Sequence, residues 1–447
     1  MKMTRIWMLL VALVSTQLMA DDVADVALKY WPQWRGPTWN GVAPQADPPV
    51  TWSETQNLRW KTPIEGRGWA TPIVWGDRIF LLTAIALDKK IPIPDVIPAG
   101  TPNINKHPQV IGSWKPQKLA IVCVDRINGK LLWTQSVREG MPHQGHHRKG
   151  GFASASPVTD GQHVYAYFGS FGLYCYDFEG RFVWKKNFEP QAMEDSLGEG
   201  TSPALSGNTL VIVVDQELQS YVMAIDKRTG VDIWKQNREE PSNWSTPRIF
   251  THAGRRQVVV NGVTVRSYDL DTGELLWRCG GHTAGAIPMP AVGHGLVFTA
   301  SGWRKDVLQA IKLGQRGDLT GSESVVWSLS RGTPYVPCPM LWGKEIYLLE
   351  DQSFFSCYRA TDGELHYKHR LPGFLKFSAS PVGAADRIYL LSEAGKTVVL
   401  QNGPEIKVLA INELDEKFHA SPAIVGNAIY LRGDKHLFCF AKPPPGQ

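Results

Sequence analysis

The chain has 447 residues, 43% of them hydrophobic and 20% charged, with a formal net charge of +5. That length excludes a single compact core, since cores stop growing at about 250–300 residues, and that apolar content excludes wholesale disorder. Lysines and arginines are scattered rather than blocked, which excludes a nucleic-acid footprint. Seventeen tryptophans outnumber 13 tyrosines and 16 phenylalanines, so indole is used systematically and needs a structural account.

Residues 1–20 read as a secretory signal: Lys2 and Arg5 give a basic start, 6–14 an apolar run, and Leu18-Met19-Ala20 a cleavage site before Asp21. The run is shorter than the roughly 20 residues that span a bilayer, and no later stretch is long and apolar enough to do so. The mature chain is expected to be soluble, monomeric, and periplasmic or secreted after cleavage near Ala20. An extension over 21–57 leads to a lone strand, 57–61, carrying Trp60. The stretch 86–117 interrupts the first repeat with Pro92, Pro94, Pro98, Pro102, Pro108 and Pro116, and carries Trp114. Proline stiffens such a loop, and long loops on rigid scaffolds are commonly functional. It reads either as a lid or partner-contact loop or as a tolerated excursion.

A small residue followed by proline recurs at Thr71-Pro72, Ser156-Pro157, Ser202-Pro203, Thr246-Pro247, Met289-Pro290, Cys338-Pro339, Ser380-Pro381 and Ser421-Pro422. Six of the seven spacings lie between 41 and 49 residues, and the seventh, 85, contains the insertion. Each unit continues with alternating strands and a Gly turn before an aromatic strand. Gly129 precedes Trp133, Gly230 precedes Trp234 and Gly273 precedes Trp277, four residues on in each case, and Gly180 and Gly363 stand likewise before Trp184 and Tyr367. A type I turn with Gly at positive φ accounts for the turn, and the fixed step sends the aromatic to one face of the last strand. Trp60, Trp133, Trp184, Trp234, Trp277 and Trp327 fill this slot, Tyr367 takes it in one repeat, and in the seventh the step from Gly403 falls on Lys407.

A period near 44 residues with four strands per unit predicts an all-β fold, an eight-bladed β-propeller of four-stranded antiparallel blades over 58–440, with a tail at 441–447. The last repeat lacks its fourth strand, and the lone N-terminal strand is expected to complete it and close the ring. Cys123, Cys175 and Cys357 occupy equivalent slots of separate repeats, and Cys439 sits in the matching C-terminal strand. Such slots lie too far apart for disulfides, so buried free thiols are expected.

Anchor, turn and tryptophan together resemble the pyrroloquinoline-quinone (PQQ) repeat of the quinoprotein alcohol dehydrogenases and of BamB, the outer-membrane assembly propeller. Trp31-Pro32-Gln33-Trp34-Arg35-Gly36-Pro37 resembles the start of exported bacterial PQQ-like propeller proteins. The resemblance implies two functions. The favoured one is a non-catalytic scaffold that binds a protein or cell-envelope component through its loops and funnel, with no cofactor. The alternative is a PQQ- and calcium-dependent oxidoreductase with a divergent site. The dehydrogenases carry a pair of adjacent cysteines and a calcium held by carboxylate and amide groups, and this sequence has no adjacent cysteine pair.

No catalytic residue can be read directly. Binding candidates are His143, His146, His147 and Arg148 in the connection before the second blade, where three imidazoles also suggest Zn²⁺ or Cu²⁺. Polar residues at strand ends form a second set: Asp215, Arg238, Asp351 and Arg432. Such ends ring the funnel of a propeller, the default ligand site, although charged strand ends are also ordinary solvated turns. Among the tryptophans outside the repeat slot, Trp114 and Trp244 stand first as binding candidates.

Overall fold

In the computed structural model, residues 26–89, 107–112, 115–373 and 375–443 are described, and their alternating runs form eight antiparallel blades arranged as the repeats predict. Blade 1 runs from Ile73–Trp75 through Arg78–Ala86 and Gln117–Asp125 to Leu131–Gly140, and blades 2–7 repeat that order outward from the axis. Blade 8 contributes three strands, Ala423–Val425, Ala428–Arg432 and His436–Ala441, and Leu58–Pro63 supplies the fourth, with Trp60 opposite Cys439. The ring is therefore closed by backbone hydrogen bonds between the two ends of the propeller, which leaves no open blade. All six cysteines are free and buried.

The repeat tryptophan joins neighbouring blades in two ways. Its indole nitrogen donates to a turn carbonyl of the next blade: Trp60 to Arg126 (3.1 Å), Trp133 to Phe178 (2.9 Å), Trp184 to Lys227 (2.9 Å), Trp234 to Leu270 (2.8 Å) and Trp327 to Ala360 (2.9 Å). Its ring also lies against the glycine of that turn. A Cβ on Gly230 would stand 2.7 Å from Trp184, and one on Gly129 2.6 Å from Trp60. Glycine is thus required there twice, for its positive φ of 75° and 74° and for the indole face.

Three blades depart from this pattern; in blade 6 the slot holds Tyr367, which has no indole. The turn facing Trp277 is replaced by a longer connection, of which Gly317–Asp318 adds a fifth, parallel strand beside Leu275–Cys279, and the Trp277 indole nitrogen has no acceptor. In blade 7 the strand register places Ala410, not Lys407, opposite Val399 in the tryptophan slot, because the turn after Gln401 is longer than the equivalent turns of blades 1, 3 and 6. The missing indole is supplied from elsewhere. Trp52 of the N-terminal extension packs between Tyr389 of blade 7 (centroids 6.1 Å apart) and Phe440 of blade 8 (5.5 Å), 3% exposed.

The anchors explain themselves at the axis. The Thr71 amide donates to the Ser156 hydroxyl (2.9 Å), Ser156 to Ser202 (2.9 Å) and Ser202 to Thr246 (3.1 Å), while Cys338 donates to Ser380 and Ser380 to Ser421 (both 2.9 Å). This hoop needs a hydroxyl at each station. Cys338 keeps its link by accepting from the Met289 amide through sulfur (3.2 Å), and Met289 has no hydroxyl to offer.

On one face of the ring, the turns between first and second strands meet the N-terminal extension. Trp31 exchanges backbone bonds with Val74, Pro32 accepts from Thr159, Gly41 from Gly383, and Asp47 donates to Gly426. Arg35 donates to the Pro381 carbonyl at 2.6 Å, and Arg248 lies over the Trp39 ring with its Nη2 3.3 Å from the Thr38 carbonyl. These contacts reach blades 1, 2, 4, 7 and 8, so the segment crosses the channel and covers inner strand edges whose backbone groups would otherwise be unpaired. The opposite face carries the connections between second and third strands and between blades.

Candidate functional site

The best-formed cleft lies on that opposite face, between the connections that enter blades 2 and 3. It encloses about 580 Å³ counting its open mouth, and His143, Phe152, Phe171, Glu199, Asp215 and Asn243 are among its walls. Glu199 is the polar centre. Its two carboxylate oxygens accept from the Ser170 amide and hydroxyl, each at 2.5 Å, and His143 Nε2 stands 3.6 Å away. Burial raises its carboxyl above the ordinary range, opposed by His143 and the Ser170 bonds. The Ser170 hydroxyl also accepts from the Gln191 amide (2.8 Å), and His143 Nε2 lies 2.8 Å from the Gln191 carbonyl. Gly169 makes this possible: a Cβ there would overlap the Glu199 carboxylate, and its φ is 58°.

The Ser170 hydroxyl donates to the Glu199 carboxylate and accepts from the Gln191 amide, so both its roles are taken up within the network. The network braces two connections against each other. Glu199, Ser170, Gln191 and Asn243 were not marked by sequence reasoning, because they come from three separate connections and carry no local motif.

The sequence candidates fall in different places. His143 and His146 turn inward; His146 stacks edge-on against Phe152 at 4.7 Å and its Nδ1 meets the His147 carbonyl at 2.8 Å. His147 reaches away to Gln109 at 2.5 Å, and burial beside Lys149 and Arg148 pushes it down to about 4. The three imidazoles do not converge, and Arg148 alone of this group is exposed. Among the described residues no group of three or more His, Cys, Asp or Glu side chains is arranged to hold a metal ion. Trp114 lies outside the described residues. Trp244 is half-buried and donates to the Gly198 carbonyl at 2.7 Å, beside the cleft.

The strand-end charges are not solvated turns. Asp215 and Arg238 form a fully buried pair, Nε–Oδ1 2.7 Å and Nη2–Oδ2 3.1 Å, that ties the second strand of blade 3 to its fourth. Asp351 accepts from the Tyr335 and Val336 amides (3.1 and 3.2 Å), and burial raises it to about 6. Arg432 is 1% exposed.

The nearest approach to a carboxylate–amide cage is Asp215, Glu240 and Asn243, whose Nδ2 lies 3.4 and 3.3 Å from the two carboxylates. Both acids are already engaged, Asp215 by Arg238 and Glu240 by Arg266 and the Val263 and Thr264 amides. These residues do not fit a calcium-bound tricyclic quinone.

Residues 117–280 match the family model described as outer membrane protein assembly factor BamB. No curated protein matches the sequence. Among solved structures, BamB from Moraxella catarrhalis aligns over 82% of this chain and 99% of its own, with 12% identity and a TM-score of 0.52. Quinohemoprotein alcohol dehydrogenase from Comamonas testosteroni aligns over 96% and 84% (12% identity, TM-score 0.61), and a europium-containing methanol dehydrogenase over 93% and 92% (10%, 0.60). At such identities the likeness is one of fold. No helix among the described residues is long and apolar enough to cross a membrane. Over residues 117–280 the chain is similar to the BamB family model, and as a whole it shares the β-propeller fold of these solved structures.

Proposed function

We propose that the chain is an exported, non-catalytic propeller that holds a protein or cell-envelope ligand on the face bearing the interblade connections. The observation that carries this reading is the state of the cleft's ionisable groups. Glu199, His143 and Asp215 are each held in hydrogen bonds to protein groups and brace the cleft wall. What remains open to a visitor includes aromatic wall and backbone around Phe152 and Phe171, and the connection that forms it exposes Arg148. Such a surface suits a partner's side chain. The match to an outer membrane assembly factor supports an envelope setting, consistent with the signal-like residues 1–20.

A photo-crosslinking residue placed at Arg148 is expected to give a discrete adduct in envelope extract, whereas the same residue at Arg228, in a turn of the opposite face, gives none. Equal labelling from both positions would refute a face-specific partner. The fold likeness to the Comamonas dehydrogenase supports a second reading, a divergent quinoprotein oxidoreductase. Saturable PQQ and Ca²⁺ binding with turnover would establish that reading instead.

A further inference from the structure

The second-strand slot two residues beyond the aromatic that faces the cysteine position is apolar in most blades, as at Leu82, Leu349 and Leu391, each 0–1% exposed. In blade 8 it holds Arg432. All three guanidinium nitrogens are buried and none has a hydrogen-bond partner. Burying a cation without partners costs several kcal/mol in order of magnitude, and buried orphans of this kind mark missing waters or ions.

A second orphan lies beside it. Phe418 bridges Gly433 in antiparallel sense, and the Asp434 amide donates to the Lys417 carbonyl at 3.0 Å. That register sets His419 directly opposite Arg432, with side chains on one face. His419 Nδ1 is buried without a partner, and the ring packs against Trp69 at 4.8 Å. Glu416 and Asp434 act on Arg432 through their charge, but none of the nearby carboxylates hydrogen-bonds it, each being bonded elsewhere. Glu416 takes the His436 amide (2.8 Å) and ring (2.7 Å), Asp434 takes the Trp69 indole (3.2 Å), and Glu393 takes Lys149 (2.7 Å). Lys417 adds a further positive charge near His419.

We infer that Arg432 and His419, under the Trp69 indole, form a binding site for a small oxyanion, a carboxylate or phosphate group, in the wall between blades 8 and 1. A planar guanidinium with all its donors free matches two oxygens of such a group, and an imidazole N–H opposite can take a third contact. This site lies apart from the cleft above and does not depend on the loop-face reading.

The test uses the whole mature chain in Tris chloride, titrated separately with acetate and inorganic phosphate, with sodium chloride at matched ionic strength as control. Thermal unfolding and calorimetric titration are the readouts. One of the two oxyanions is expected to raise Tm saturably. Arg432→Leu, which places in blade 8 the residue that other blades carry, should abolish the shift, and His419→Asn should weaken binding at least tenfold. In oxyanion-free buffer R432L should equal or exceed the parent in Tm, and in saturating oxyanion the order should reverse. A shift shared with chloride or retained in R432L would overturn the site, as would no shift or a crystal structure in phosphate or acetate showing only water at Arg432. If R432L does not fold, the H419N titration decides alone: unchanged affinity rejects the site.

Discussion

Truncating Trp52 to alanine removes the indole that stands in for the missing blade 7 aromatic. The ring is 3% exposed and packs between Tyr389 and Phe440. A buried aromatic of about 150–250 Å² at about 25 cal/mol/Å² contributes on the order of 5 kcal/mol, and measured Trp→Ala costs run about 3–5 kcal/mol. Trp52→Phe keeps a ring in place, and the Trp52 indole nitrogen has no acceptor to lose. It should cost no more than about half as much. Trp60→Phe is the contrast, because it strips the Arg126 carbonyl of its donor and adds about 1–3 kcal/mol. Equilibrium urea unfolding of the three variants beside the parent gives the comparison through the shift in midpoint at constant slope. A Trp52→Ala variant within 1 kcal/mol of the parent would refute the substitution of Trp52 for the missing blade 7 indole.

Further outcomes follow from other particular contacts. Gly230→Ala meets both a positive φ and the Trp184 ring, so it should cost clearly more than Gly254→Ala, which has a similar φ (77° against 75°) but open space; equal midpoints would remove the indole argument. Arg238→Leu leaves Asp215 buried and unpaired and should cost about 3–5 kcal/mol, with most of that recovered in the Arg238→Leu/Asp215→Leu double variant; purely additive losses by chemical unfolding would contradict the pairing. Asp351, raised from the ordinary 3.8 to about 6, favours its protonated form in the fold. Its contribution is full below pH 4 and lost as pH rises through 6, by about 3 kcal/mol. Asp351→Asn should lack this segment of the stability–pH curve. His282 behaves oppositely: burial lowers it to about 4, so its contribution is present above pH 6.5 and lost as pH falls toward 4, and His282→Gln should flatten that limb.

The blades were legible because their determinants are local. An anchor proline, a Gly turn and an aromatic four residues later are all read within one repeat, and ring closure followed from a strand missing at one end and present at the other. Where a turn changed length the counting failed: the step from Gly403 pointed to Lys407, while the register puts Ala410 in the slot. The role of Trp52 could not be read, since its partners Tyr389 and Phe440 lie at the far end of the chain. The cleft was hidden for the same reason, because Ser170, Glu199 and Gln191 meet only once the blades are stacked. Strand-end charge was misread in one respect. Solvation is the ordinary fate of such residues, but Asp215, Arg238 and Arg432 are buried between strands and blades, which only packing can reveal.

The choice between a binding propeller and an oxidoreductase turns most directly on one titration. Purified mature chain would be incubated with PQQ and Ca²⁺, followed by cofactor fluorescence, and assayed for dye reduction with a panel of alcohols and sugars. With Asp215 and Glu240 held by arginines, no saturable binding and no turnover are expected. Stoichiometric binding accompanied by turnover would contradict the account.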